Sequence, residues 1–176
     1  MGNTHAEVKS MKNHRPHHIG IIPDGNRRWA VAHGMPKEDG YQHGLKPGLM
    51  LLQQAKEAGI EEITYYGFTV DNCKRPKKQV SSFQKASATV DHFIGSAIKH
   101  IKNVRLLVIG NTESKCFPQE LQKYTTRTAV HGGGIRLNFL VNYGWEWDLT
   151  HVRKDGFPYS SDISRIDLVI RWGGMR

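Results

Sequence analysis

The chain has 176 residues, enough for one globular domain and too few for two independent ones. Its 25 Lys and Arg against 16 Asp and Glu leave a formal charge of +9, with the ten His counted as neutral; such a chain seeks anions, whether phosphorylated metabolites, acidic lipid surfaces or nucleic acid. No window approaches the ~18–20 apolar residues of a membrane span, and the opening MGNTHAEVKSMKNHRPHH lacks the apolar stretch of a secretory signal, so 1–17 reads as a polar lead-in and 18–176 as a single domain.

The elements alternate. HIGIIP at 18–23 is strand-like, and Asp24-Gly25-Asn26 supplies turn and N-cap chemistry before a helix predicted over 27–33, with Gly34 as its stop. A second helix is predicted from Pro47 to Gly59, because proline is tolerated in a first helical turn and glycine ends helices. EITYYGF at 62–68 is the next strand, followed by a polar turn through Arg75-Pro76 and a helix over 78–100. VRLLVIG at 104–110 is a third strand, PQELQKYTTRTAV at 118–130 a helix, IRLNFLVNYG at 135–144 a fourth strand and IDLVIRW at 166–172 a fifth. Strands separated by helices imply βαβ units, hence an α/β fold with a mostly parallel central sheet flanked by helices; strand order is not legible at this stage. Cys73 and Cys116 form neither a metal pattern nor a disulfide framework, and read as reduced thiols of a cytoplasmic protein.

A parallel sheet gathers ligands beyond the carboxyl ends of its strands, and three polar clusters fall there. In Pro23-Asp24-Gly25-Asn26-Arg27-Arg28, glycine lets the backbone approach a ligand, the arginines bond phosphate oxygens, and one carboxylate can hold Mg²⁺ against a diphosphate. An ordinary capped turn with solvated arginines has the same spacing. In the second cluster, Thr69, Asp71, Asn72 and Arg75 could hold another anion and relay a proton, or form a plain polar turn. The third cluster, Arg171-Trp172-Gly173-Gly174-Met175-Arg176, suits a phosphate-lined turn or a chain end. His43 could hold a phosphate or water, or be structural; HRPHH at 14–18 reads as a polar entry to the first strand rather than a metal tract. Trp145 and Trp147, flanking Glu146, could stack on a ligand or cap the core, and read as caps on the core.

Taken in order, the runs HIGIIPDGNRRWA, ITYYGFTVDNCKRP, VRLLVIGN, LNFLVNYG and IDLVIRWGG resemble the cis-prenyltransferases, the family of undecaprenyl diphosphate synthase, over about 18–176. The resemblance implies a parallel sheet with surrounding helices and a hydrophobic tunnel, in a homodimer with peripheral membrane contact. It further implies Mg²⁺-dependent condensation of isopentenyl diphosphate with an allylic diphosphate to give a cis-polyprenyl diphosphate. Asp24 then stands as the Mg²⁺ ligand and essential carboxylate. Gly25, Asn26, Arg27, Arg28, Trp29 and His43 stand around the allylic diphosphate. Asn72 takes the place of the proton acceptor, with Thr69, Val70, Asp71, Cys73 and Arg75 about it, and Arg171 that of the isopentenyl diphosphate contact. Tyr65, Gly67, Phe83 and Leu140 are candidates for the tunnel lining.

Several positions depart from the family pattern. Arg27 replaces a common Gly, the Arg expected four residues before His43 is Asp39, Cys73 stands where a Trp is usual, and Trp172 and Met175 replace a Thr and a Glu. The stretch from Gly144 to Arg171 is short for a crossover that usually includes a full helix, and the resemblance stops inside a motif, as a chain lacking its C-terminal part would. A short-chain or irregular-coupling synthase and a non-catalytic partner subunit are the competing readings. Nucleic-acid binding is set aside, because no Lys/Arg face interleaved with aromatics is present.

Overall fold

The computed structural model describes residues 15–37, 39–69 and 80–173, with side chains from 80 to 90 excepted. Its elements are β1 (His18–Pro23), α1 (Asn26–Ala32), α2 (Gly40–Glu57), β2 (Glu62–Thr69), α3 (Val80–Ile101), β3 (Val104–Ile109), β4 (Thr128–Val130), β5 (Ile135–Tyr143), α4 (Trp145–Thr150) and β6 (Leu168–Trp172). They build a six-stranded sheet in the order β4-β3-β5-β2-β1-β6. Every pairing is parallel except that of β3 with the edge strand β4.

Side chains alternate across the pleat, so the two faces of the sheet carry different chemistry. Ile19, Ile21, Ile63, Tyr65, Leu137, Phe139, Leu106 and Val108 turn to one face and pack with Leu52 and Ala55 of α2 and Phe93, Ile94, Ala97 and Ile101 of α3. The opposite face is apolar only toward the strand ends, where Leu107, Ile109 and Leu140 meet Tyr66, Tyr143, Trp147 and Ile163. Lower on that face lie buried polar groups: His18, Glu62, Thr64 and Asn138. Burial pushes the Glu62 carboxyl up, but the Ser164 N–H and Asn138 amide bonds, with the Arg136 charge, outweigh it and hold the group below its usual value. Arg136 closes the ion pair at 2.9 Å.

Two predicted elements need correction. The helix predicted from Pro47 begins at Gly40, and Pro47 lies inside α2. Proline there forfeits only the bond to the His43 carbonyl, and both residues are exposed, so water can satisfy that carbonyl. The helix predicted at 118–130 is a short 3₁₀ segment, Gln119–Tyr124, followed by β4. Four of the residues from 125 to 130 are β-branched, and of these Thr128 and Val130 join the sheet edge instead. The crossover from β5 to β6, read as lacking a full helix, holds the six-residue α4 and a second 3₁₀ segment, Tyr159–Asp162. Of its tryptophans, Trp147 stacks on Tyr159 at 5.2 Å and joins the core, whereas Trp145 is exposed and caps nothing.

Tyr65 and Leu140 do not share a lining. Tyr65 pairs in register with Phe139, and Leu140 with Tyr66, so Tyr65 and Leu140 face opposite sides of the sheet. Phe83 lies outside the residues whose side chains are described. Because Phe139 is fully buried against Tyr65 and Phe93, Phe139→Ala is expected to cost about 3–5 kcal/mol of stability, measured by urea unfolding.

Candidate active site

β1 is where the sheet's winding reverses: the chain leaves it to place β2 on one side and returns at the end to place β6 on the other. A crevice opens at such a switch point, beyond the carboxyl ends of the strands. Asp24 follows β1, Arg171 lies near the end of β6, and Thr69 ends β2.

The end of β1 and the end of β6 touch through two glycines. Gly25 has φ 89° and Gly173 φ 102°, both in the left-handed region. A Cβ on Gly25 would stand 2.7 Å from Gly173 Cα, and one on Gly173 would stand 2.5 Å from the Asp24 carbonyl oxygen. Two loops therefore meet backbone to backbone, which only glycine permits.

That contact brings the charges together. Arg171 donates to Asp24 Oδ2 at 2.6 Å, the Gly25 N–H donates to Asp24 Oδ1 at 2.6 Å, and Arg28 lies 3.4 Å from Oδ1. Arg28 also donates to the Gly173 carbonyl at 2.7 Å, tying α1 to the β6 loop. The Arg171 hydrogen bond holds the Asp24 carboxyl below its ordinary value, aided by Gly25 N–H and Arg28 and opposed by desolvation. A carboxyl shifted in that direction stays ionised through neutral pH, and its pair with Arg171 is lost only as pH falls through the acidic range below 3.8.

The expected side-chain cap on α1 is not formed. Gly25 is the N-cap residue, and the Asp24 carboxylate turns back to the Gly25 N–H and the arginines. Trp29 stacks on His33 at 4.2 Å and lies 4.9 Å from the His43 ring, so Trp29 and His43 do share one surface. Arg27 is half-buried beside them in sequence, and Thr69 ends β2 at a register shift against β5. Val70, Asp71, Asn72, Cys73 and Arg75 lie outside the described residues. Among the described residues no three His, Cys, Asp or Glu side chains gather as a metal cluster.

Sequence reasoning missed the seat of Asn26. Gly44 of α2 backs onto its side chain: a Cβ there would stand 2.8 Å from both amide atoms, and one on Gly40 would collide with the Asn26 carbonyl. The available signal was a glycine every fourth residue, Gly40, Gly44 and Gly48, which bares one stripe of the helix for close approach.

The prenyltransferase family model, described as undecaprenyl diphosphate synthase, matches residues 22–176. The chain belongs to the undecaprenyl diphosphate synthase family. The ditrans,polycis-undecaprenyl-diphosphate synthase of Aliivibrio fischeri, described as specific for (2E,6E)-farnesyl diphosphate, is 31% identical to this prenyltransferase over 185 residues. The match takes in 90% of this chain and 70% of that one. The enzyme of the same name from Vibrio vulnificus is 34% identical, over 90% of this chain and 72% of its own. The solved structure of lavandulyl diphosphate synthase from Lavandula x intermedia, in complex with dimethylallyl diphosphate, superposes with a TM-score of 0.68. That superposition covers 92% of this chain and 79% of the other at 20% identity, and so speaks for the fold.

The glycine contact is open to a direct comparison. Gly34→Ala meets nothing within 4 Å and carries only the strain of φ 69°, a cost of about 1 kcal/mol. Gly25→Ala adds the collision with Gly173 and is expected to cost about 1–3 kcal/mol more in urea unfolding. Equal costs would mean the two loops are not in close contact.

Proposed function

We propose that the chain condenses isopentenyl diphosphate with an allylic prenyl diphosphate to form a cis-polyprenyl diphosphate. The observation that carries this reading is the Asp24–Arg171 pair, with Arg28 beside it, at the joined ends of β1 and β6 in a chain of this family. The reaction breaks the allylic C–O bond, releases diphosphate, forms a carbon–carbon bond to isopentenyl diphosphate and loses one proton. Charge develops on the leaving diphosphate, so preorganised cations there dominate the lowering of the barrier. In this reading Arg27 and Arg28 receive the allylic diphosphate over Gly25 and Asn26, with Trp29 and His43 alongside. Arg171 receives the diphosphate of the second substrate. Asn72 takes the proton within the run Thr69, Val70, Asp71, Cys73 and Arg75.

Asp24 is a partly exposed carboxylate, with 32% of its side chain accessible. Magnesium is commonly held by one or two carboxylates, completing its octahedron with phosphate oxygens and water, so Asp24 fits an ion shared with substrate rather than an all-protein cage. Such an ion would supply charge neutralisation at the departing diphosphate. A cytoplasmic homodimer touching membranes peripherally, without nucleic acid, belongs to the same reading; no helix among the described residues is long and apolar enough to cross a membrane.

One observation favours a short product. Tyr65 fills the layer between β2 and α2 so fully that a Cβ on Gly48 would lie 2.9 Å from its hydroxyl, and Phe93 stands 4.8 Å from its ring.

Both readings meet in one assay: Mg²⁺, labelled isopentenyl diphosphate and allylic primers of several lengths, with products resolved by mass. Extended prenyl diphosphates are expected, and their length separates long-chain from short-chain synthesis. Asp24→Ala is expected to lower the rate by at least ~10²–10³. Full activity in that variant overturns the role given to Asp24, and silence of the folded wild type with every primer points to a non-catalytic partner subunit.

A further inference from the structure

β6 carries Arg171, and burial holds it from one side alone. Among the described residues the strand lies at the sheet edge and pairs with β1; Ile170 and Trp172 are partly buried against the core, while Leu168 is 48% and Val169 54% exposed. Its position along β1 decides whether Arg171 reaches Asp24, since Arg171 is in register with Ile22 and Trp172 with Pro23. A shift by one residue would turn Arg171 to the other face.

The lead-in to β6 is fastened at the far end of the strands. Ser164 presents its carbonyl to His18 Nδ1 at 2.9 Å and its N–H to Glu62 Oε1 at 3.4 Å. Asp167 Oδ2 accepts from the backbone N–H groups of His17 and His18 at 2.8 and 3.0 Å, and these bonds hold its carboxyl below the usual range. Ile166 lies over Gly20, where a Cβ would come within 3.2 Å of it.

The ring sits in a run of hydrogen bonds. Asn138 Nδ2 donates to Glu62 Oε1 at 2.7 Å and to Thr64 Oγ1 at 3.0 Å. Thr64 Oγ1 lies 2.8 Å from His18 Nε2, on the other side of the ring. The Ser164 carbonyl can only accept, so His18 carries a proton on Nδ1, the atom facing it. The ring is 2% exposed, so a turned ring would bury an N–H without its acceptor.

We propose that His18 is a positioning residue: oriented by Thr64, Asn138 and Glu62, it fixes β6 along β1 and so sets Arg171 on Asp24 about 20 Å up the strand. The consequence for substrate rests on the reading of Arg171 as the isopentenyl diphosphate contact.

Two variants test this in the full chain. His18→Leu removes both ring bonds, and Thr64→Val keeps the shape of its side chain while removing the hydroxyl that orients the ring; the second decides if the first does not fold. Amide hydrogen exchange is read by strand. Exchange in 168–172 is expected to accelerate about tenfold or more, with β3 and β5 unchanged. His18→Asn, whose amide can still donate to Ser164, is expected to restore much of the protection. Protection of β6 as in the wild type, or equal loss in all strands, overturns the proposal. In turnover, the KM for isopentenyl diphosphate is expected to rise at least about fivefold, with the KM for the allylic primer within about twofold. Equal change in both overturns the link to Arg171. A wild type without turnover defeats the prenyltransferase reading, and exchange alone then decides the anchor.

Discussion

The contact between Gly25 and Gly173 is the constraint on which the site depends. It requires β6 to run beside β1, both loops to take left-handed backbone, and neither residue to carry a side chain. Once it is met, Asp24 and Arg171, separated by 147 positions in sequence, come within 2.6 Å, and Arg28 reaches the Gly173 carbonyl across the joint. The arginines supply charge, but the glycines decide where it stands. Strand pairing and backbone sterics thus set the electrostatics, rather than the reverse.

The sheet divides labour between its faces for the same reason. A strand with α2 and α3 on one side can be uniformly apolar there, and Ile19, Ile63, Leu137 and Phe139 are. The other face is free to carry His18, Thr64 and Asn138 at neighbouring registers, so their hydrogen bonds run across three strands without a gap. Those groups are buried, and the bonds among them offset most of their desolvation, leaving the Asn138 amide oxygen without a hydrogen-bond partner.

Strands were the most legible part of the sequence, because their runs are short, apolar and bounded by turn residues: β1, β2, β3 and β5 stand within a residue or two of the spans their composition suggests. Helix starts were less so. Pro47 looks like a first turn in sequence, and what extends α2 back to Gly40 is the packing of Gly40 and Gly44 against Asn26, a contact distant in the chain. The 118–130 segment has helical spacing in its first half, but its β-branched second half follows the edge of β3. At the site, the run after β1 and the run at Arg171 were both expected beyond the carboxyl ends of the strands. That β1 and β6 are neighbours, and hence the direct contact of Asp24 with Arg171, was not legible, since strand order is set by tertiary packing that local pattern does not record. The side-chain cap expected from Asp24-Gly25-Asn26 is not formed for the same reason: two arginines and the Gly25 N–H take the Asp24 carboxylate.

Two carboxylate–arginine pairs stand at opposite ends of these strands, and their burial separates their uses. Glu62 is fully buried while Arg136 is 38% exposed, so removing Arg136 would leave a buried carboxylate short of its countercharge, and the pair is suited to hold structure. Asp24 and Arg171 leave 32% and 50% of their side chains in water, where an ion pair contributes little net stability. Under the proposed function, such a pair can be exchanged for an incoming phosphate at small cost. Among the described residues, Arg28 and Arg171 bring two positive charges to the one of Asp24. The buried pair keeps the strands in register, so that the exposed one is free to trade partners.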